Sequence, residues 1–74
     1  MTLAEAPVGA HVVVQAFERD RYAAEAIRLG VTAGRELTVL QNLRRGPVVV
    51  DTGVSEVAIG YALARVIRVH LLSV

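Results

Sequence analysis

The sequence contains no cysteine, no tryptophan and no lysine, and all eight of its basic residues are arginines. Without cysteine, the chain has no thiolate nucleophile, no disulfide and no cysteine ligand for zinc or an iron–sulfur cluster. Without lysine, it has neither the phosphate-binding lysine of a P-loop nor an amine for Schiff-base chemistry. The side chains left for chemistry are His, Asp, Glu, Ser, Thr and Arg, which excludes several large classes of enzyme.

The net charge is also small, since eight arginines are balanced by seven acidic residues to give a formal charge of +1. Such a chain produces no long-range field that attracts nucleic acid or an anionic membrane, so no nucleic-acid partner is expected. The longest stretch without a charged residue, 6–17, is too short to span a membrane. No signal peptide follows Met1. We therefore expect a cytoplasmic protein without direct membrane insertion.

The 74 residues lie near the lower size limit for a domain that folds without disulfides or metals, so the core must be dense. Hydrophobic residues make up 54% of the chain, and valine and alanine dominate them. Valine favours strands, because branching at Cβ restricts χ1 and packs well on a pleated surface. We expect one domain that spans residues 1–74.

Runs of β-branched residues, bounded by glycine, proline or charge clusters, predict five strands. These strands are predicted at 11–15 with an extension through 17, 36–41, 48–51, 54–59 and 66–71. In the second strand, Leu37, Val39 and Gln41 are predicted to share one face. In the fourth, Val57 and Ile59 are predicted to share one face.

Helical spacing predicts one helix at 21–29, between the first two strands, with Asp20 as its N-cap and Gly30 just past its end. Shorter helical turns are predicted at 2–5, with a capping box, and at 60–64. No strand–helix–strand repeat is present. The pattern therefore predicts an all-β fold: a small SH3-like or OB-like five-stranded partly open barrel with one short helix inserted after the first strand.

The two histidines leave a metal hypothesis open. His11 and His70 lie on the first and last predicted strands, which can be neighbours in a barrel. A metal site needs three or four ligands, and neither histidine has a carboxylate or a second histidine at ligand spacing. Two edge or surface imidazoles are the favoured interpretation, and no metal ligand is assigned.

Two pairs of acids are candidates for acid–base chemistry, Glu18 with Asp20 and Asp51 with Glu56. The first pair alternates with arginines, which indicates a solvated charge cluster, and Asp51 is explained by the turn that follows it. The two serines have no histidine or acid at the spacing of a triad. No catalytic residue is assigned, and we expect that the protein is not an enzyme.

Exposed cations and glycines suggest no cofactor site. Arg44 and Arg45 at a predicted loop tip could contact phosphates or an acidic protein surface, but no GxGxxG pattern is present. Three aromatic residues are too few for a single-stranded nucleic-acid platform. No cofactor-binding residue is therefore assigned.

Four segments in a fixed order and spacing resemble the small ferrous-iron transport accessory protein A (FeoA-like) domain. The resemblance runs from Leu3 to Val69. The segments are Leu3-x-x-Ala6-x-x-Gly9, Leu29-Gly30-Val31-Thr32-Ala33-Gly34-x-x-Leu37-x-Val39, Gly46-Pro47-Val48-Val49-Val50, and Val57-Ala58-Ile59 leading to Ala64-x-x-Ile67-x-Val69.

The resemblance implies an SH3-like barrel that is a cytoplasmic companion of the ferrous-iron permease (FeoB-like), acting on its cytoplasmic region through protein contacts and not catalysis. The same kind of domain forms the C-terminal module of iron-dependent repressors. A metal-responsive regulatory module is therefore the alternative. Unpaired strand edges on a partly open barrel also predict self-association into a homo-oligomer.

Overall fold

The computed structural model describes the backbone of residues 1–74 and every side chain except that of Asp20. The predicted N-cap role of Asp20 therefore lies outside the described residues. Two 3₁₀ turns are formed by Leu3–Glu5 and Asp20–Tyr22. The strands and helices are β1 (His11–Phe17), α1 (Ala23–Arg28), β2 (Glu36–Asn42), β3 (Val48–Asp51), β4 (Glu56–Ile59), α2 (Tyr61–Ala64) and β5 (Ile67–Ser73).

The five strands form one antiparallel sheet in the order β4-β3-β2-β1-β5. The sheet does not close, because β4 and β5 are its two edges and do not pair with each other. The only helix longer than four residues among the described elements, α1, lies between β1 and β2. The prediction of an all-β, five-stranded, partly open barrel with a helix inserted after the first strand is confirmed.

The core is built from alternate residues of the strands, because successive side chains point to opposite faces of a sheet. Most of these inward positions hold valine, and small alanines fill the gaps near the helices. The buried apolar residues are Leu3, Ala6, Ala10, Val12, Val14, Ala26, Val31, Leu37, Val39, Val48, Val50, Ile59, Leu63, Ala64, Val66, Ile67 and Val69.

A bulge in β2 changes which of its residues face the core. The register of β2 against β3 shifts between Val39 and Gln41, so that Leu40 is an extra residue. Leu37 and Val39 are buried as predicted, but Gln41 is exposed. The prediction that Gln41 shares their face is wrong, because one inserted residue turns every later side chain to the opposite face.

The bulge also turns Asn42 toward the interior, opposite the buried Val48. Its side-chain amide donates hydrogen bonds to the carbonyl oxygens of Ala4 at 3.1 Å and Ala6 at 2.7 Å. These contacts attach the N-terminal 3₁₀ turn to the end of β2.

The inserted helix is shorter than predicted. Its first turn is the 3₁₀ turn Asp20–Tyr22, and α-helical geometry extends only over Ala23–Arg28. Gly30 ends it with φ +81°, as predicted for the residue after the cap. The amide of Val31 donates to the carbonyl oxygen of Ala26 at 2.9 Å, which completes a Schellman motif.

Four strand boundaries also differ from the prediction, and one of them is the start of β5, which lies at Ile67 instead of residue 66. β2 extends to Asn42, one residue beyond its predicted end. β4 begins at Glu56 instead of residue 54, because 52–55 form a turn in which the Thr52 amide donates to the Ser55 carbonyl oxygen at 2.9 Å. β5 extends to Ser73, because Ser73 pairs with the start of β1.

The outer edge of β5 is partly covered. The amide of Val69 donates to the carbonyl oxygen of Met1 at 2.9 Å, and Thr2 forms an isolated antiparallel β-bridge with Arg68. Self-association through the remaining strand edges stays a prediction. Among the described residues, no helix has the length and apolar character needed to cross a membrane.

Candidate interaction surfaces

The outward face of the sheet carries a row of polar residues. His11, Thr38, Asp51 and Glu56 occupy successive cross-strand positions on β1, β2, β3 and β4. The row follows from alternation, since the neighbouring residue on β1 is the buried Val12. The row therefore crosses the sheet where β1 and β4 begin and β3 ends, on the side away from the core.

A shallow groove lies over this row. Its floor is formed by His11, Thr38 and Asp51, and its walls are the turns at 32–36 and 51–53. Both walls are tight turns built around glycines with positive φ, Gly34 at +89° and Gly53 at +91°. The groove is open to solvent, and polar and apolar surface contribute almost equally to its lining.

His11 and Glu36 meet at the edge of this groove, where the imidazole Nε2 lies 2.9 Å from the carboxylate Oε1. The contact is diagonal across β1 and β2, because the direct partner of His11 is Thr38. Both side chains are substantially exposed. A pair of this kind contributes at most about 1 kcal/mol to stability, so its main effect is to orient the two side chains.

The wall at 51–53 is held by Thr52, the one buried polar residue among the described side chains. Its hydroxyl donates to the Ser55 carbonyl oxygen at 3.2 Å and accepts from the amides of Val54 and Ser55 at 3.3 Å. Asp51 Oδ1 accepts the Gly53 amide at 2.8 Å. The turn role predicted for Asp51 is confirmed, and this wall is formed before any partner binds.

The two histidines of the metal hypothesis, His11 and His70, lie on the same face of the sheet but have different surroundings. His70 on β5 lies opposite Val13, two residues along β1 from His11, and is exposed. Among the described residues, no group of three or more His, Cys, Asp or Glu side chains could hold a metal ion. The described residues therefore supply no third ligand that would complete a metal site with both histidines.

Of the first acid pair, Glu18 forms an ion pair with β5, and the side chain of Asp20 lies outside the described residues. Glu18 Oε2 lies 3.5 Å from the Arg68 guanidinium on β5, and both side chains are about half exposed. The second pair, Asp51 and Glu56, faces each other across β3 and β4. Neither arrangement places a described carboxylate beside a nucleophile.

Three exposed apolar residues lie at the end of β2 or in the turn beside it. Backbone hydrogen bonds join Gly9 and Ala10 to Val39, which brings the preceding turn beside β2. We call Val8, Leu40 and Leu43, which are 59%, 40% and 52% exposed, the β2-end surface.

Two arginines, Arg44 and Arg45, follow Leu43 in the β2–β3 turn, and Arg44 lies beside the β2-end surface. Arg44 lines a second groove together with Val8 and Asn42, and Arg45 occupies the turn with φ +60°. The sequence predicted these arginines at a loop tip. It did not predict the apolar surface, because no glycine in the sequence marks the position of the bulge that exposes Leu40.

An exposed apolar surface bordered by arginines is typical of protein interaction sites. With its open antiparallel sheet and short connecting turns, the chain has the fold of a small, partly open β-barrel domain. Residues 1–71 match the FeoA domain family, and the chain belongs to that family.

Solved structures of similar proteins agree with this assignment. The crystal structure of an iron uptake regulatory protein (FeoA) superposes with a TM-score of 0.89 at 26% identity, over 97% of this chain and 96% of that one. The solution structure of FeoA from Chlorobium tepidum gives 0.83 at 25% identity, over 99% and 71% of the two chains.

A third similar structure shows the SH3-like character of the fold. FeoA from Stenotrophomonas maltophilia, complexed with zinc, gives a TM-score of 0.76 at 25% identity, over 95% of this chain and 89% of that one. It is described as a prokaryotic SH3 domain protein and is suggested to act as a bacterial ferrous iron transport activating factor. No curated protein matches the sequence significantly.

Proposed function

We propose that this protein is a cytoplasmic accessory factor that regulates ferrous-iron transport by binding the cytoplasmic region of a FeoB-like permease. The observation that carries the proposal is the FeoA family match over 1–71, together with the ferrous-iron role suggested for a similar structure. The protein acts by contact and not as an enzyme. Fold alone would not establish this function, so the proposal also needs a surface that can bind a protein.

The β2-end surface is the contact region that we propose. Val8, Leu40 and Leu43 expose apolar area that the core does not use. Burial of such side chains contributes about 25 cal/mol per Å² of apolar surface removed from water, so three of them can anchor a modest interface. Arg44 beside them supplies a cation that can hydrogen-bond carboxylates at the rim.

The β2-end surface is attached to the rest of the fold at two points. The Gly9 amide donates to the Val39 carbonyl oxygen at 2.8 Å, and Asn42 binds the N-terminal turn. The apolar side chains are therefore presented by backbone that is already ordered. Preorganisation of this kind lowers the entropy cost of association.

Co-purification of the full chain with the cytoplasmic region of the cognate permease tests the proposal. The chain should be retained with and without guanine nucleotide, and Leu43→Glu should weaken retention because it places a charge in the apolar interface. Val54→Glu is the matched control, since Val54 lies in the β3–β4 turn and is 84% exposed. Clean separation of the wild-type chain from the permease at micromolar concentration would contradict the proposal.

A further inference from the structure

Three arginines line one small cavity between the segment that follows β1 and the end of α2. Arg19 and Arg21 follow β1, and Arg65 follows α2, forty-four residues further along the chain than Arg21. The cavity has a volume of about 200 Å³. It is lined by Arg19, Arg21, Tyr22, Ala62, Arg65 and Val66.

The two chain segments that carry these arginines are joined by backbone contacts. The Glu18 amide donates to the Val66 carbonyl oxygen at 2.8 Å, and Val66 itself is buried in the core. The Tyr22 amide donates to the Arg19 carbonyl oxygen at 3.1 Å. The Arg65 amide donates to the Tyr61 backbone carbonyl oxygen at 3.0 Å. The separation of the three Cα atoms is therefore set by the fold.

Tyr22 also holds one guanidinium in place. The Arg21 Cζ atom lies 5.1 Å from the centroid of the Tyr22 ring, which is within cation–π range. An Arg21 nitrogen lies 3.4 Å from the Tyr22 hydroxyl oxygen. Tyr22 is half-buried against the core, so Arg21 rests on an anchored ring.

Three cations line this cavity, and one nearby carboxylate, that of Glu18, already pairs with Arg68. The side chain of Asp20, which lies between Arg19 and Arg21 in the sequence, is outside the described residues, and a single carboxylate there can balance only one of the three cations. Like charges held close together repel, and a bound anion removes that repulsion. The cavity therefore favours an anionic ligand.

We propose that Arg19, Arg21 and Arg65 form a binding site for a phosphate group. A phosphate monoester or inorganic phosphate carries a charge of about −1.5 to −2 near pH 7 and has several acceptor oxygens. Guanidinium groups match these oxygens with paired donors. A single carboxylate would neutralise only one of the three cations, so the multiply charged oxyanion fits the cluster better. The phosphate is supplied either by a soluble compound or by a lipid headgroup.

The Arg44 and Arg45 pair differs from this cluster and provides a control. Both residues lie in the exposed β2–β3 turn, and neither of them lines the cavity formed by Arg19, Arg21 and Arg65. Arg19→Gln/Arg65→Gln and Arg44→Gln/Arg45→Gln each remove two positive charges. The first double variant removes the convergence of the three cations, whereas the second leaves it intact.

Titration of the full ¹⁵N-labelled chain with sodium phosphate, at constant ionic strength and near neutral pH, tests the site. Saturable amide shifts are expected at 19–22 and 65–66, separate from the β2-end surface. Arg19→Gln/Arg65→Gln should weaken the phosphate affinity by about tenfold or more, since each lost charge-assisted contact is worth about that factor. Arg44→Gln/Arg45→Gln should leave the affinity within about twofold of the wild type.

Vesicles separate the two sources of phosphate. Co-sedimentation with phosphatidylcholine vesicles that contain phosphatidic acid, and not with phosphatidylcholine alone, would assign the site to a lipid headgroup; phosphate shifts without sedimentation would assign it to a soluble ligand. The proposal is overturned if phosphate causes no saturable shift, or if both double variants weaken binding equally. It is also overturned if only a tetra-aspartate peptide shifts these amides. None of these readouts depends on the permease.

Discussion

The side-chain amide of Asn42 donates a hydrogen bond to the carbonyl oxygen of Ala6 at 2.7 Å. The two residues are thirty-six positions apart, and the contact exists because the bulge at Leu40 turns Asn42 inward. It therefore joins the N-terminal segment, which carries Val8, to the strand that carries Leu40. The β2-end surface depends on this connection.

Replacement of Asn42 by alanine should destabilise the fold by about 1–3 kcal/mol, because two carbonyl oxygens lose their donor in a partly buried location. Gln41→Ala is the control, since Gln41 is the exposed neighbour on the same strand and its loss should cost less than about 0.5 kcal/mol. Urea unfolding measures both variants. Equal midpoints for the two variants would show that the Asn42 contacts do not stabilise the fold.

Thr52→Val should also be destabilising, by about 1–3 kcal/mol, because the near-isosteric side chain loses the hydroxyl that accepts two turn amides. Ser55→Ala removes a hydroxyl from the same turn at an exposed position and should leave stability nearly unchanged. Thermal unfolding compares the two. A loss of stability in Ser55→Ala as large as that in Thr52→Val would be inconsistent with the assigned contacts.

Gly30→Ala tests the end of the inserted helix. A Cβ at Gly30 would meet no atom within 4 Å, so its cost of about 1–2 kcal/mol comes from the φ of +81° alone. Gly60→Ala also meets nothing within 4 Å but has φ −59°, so it should change stability by less than about 0.5 kcal/mol. Differential scanning calorimetry of both variants isolates the effect of conformational strain, since neither methyl group meets another atom. Identical melting temperatures would contradict the strain expected at Gly30.

Two hydrogen bonds from Thr2 lower the pKa of Glu5 below its usual value of 4.5. The larger effect comes from the Thr2 backbone amide, which donates at 2.7 Å, and the smaller effect comes from the Thr2 hydroxyl. A carboxyl whose folded pKa is lowered contributes stability above the unfolded pKa and loses it as pH falls through the folded value. Stability should therefore decrease below about pH 4.5, and Glu5→Gln should reduce that decrease. Unfolding curves measured between neutral and acidic pH check it; an unchanged slope in Glu5→Gln would contradict the capping interaction.

Much of the fold could be predicted from local signals. β3 was predicted at its observed bounds, since a valine run lies between Pro47 and the Thr52-Gly53 turn. Gly30 marked the end of the helix for the same kind of reason, because its position requires a positive φ. These signals lie within a few residues of the structure that they specify.

Features that depend on distant residues could not be predicted. The bulge at Leu40 has no local marker, and the inward Asn42 is explained only by its contact with Ala6. The His11–Glu36 pair depends on strand register, as does the position of Arg65 beside the segment that follows β1. The interaction surfaces are therefore products of tertiary structure.

The proposed binding of the chain to the cytoplasmic region of a FeoB-like permease through the β2-end surface can be measured by calorimetry. That region is titrated with the wild type, Val8→Glu, Leu43→Glu and Val54→Glu. We expect a saturable complex whose Kd rises about tenfold or more in Val8→Glu and Leu43→Glu, because a charge is buried at the interface, and is unchanged in Val54→Glu. No measurable binding by the wild type, or a Kd that Val8→Glu and Leu43→Glu leave unchanged, would contradict it.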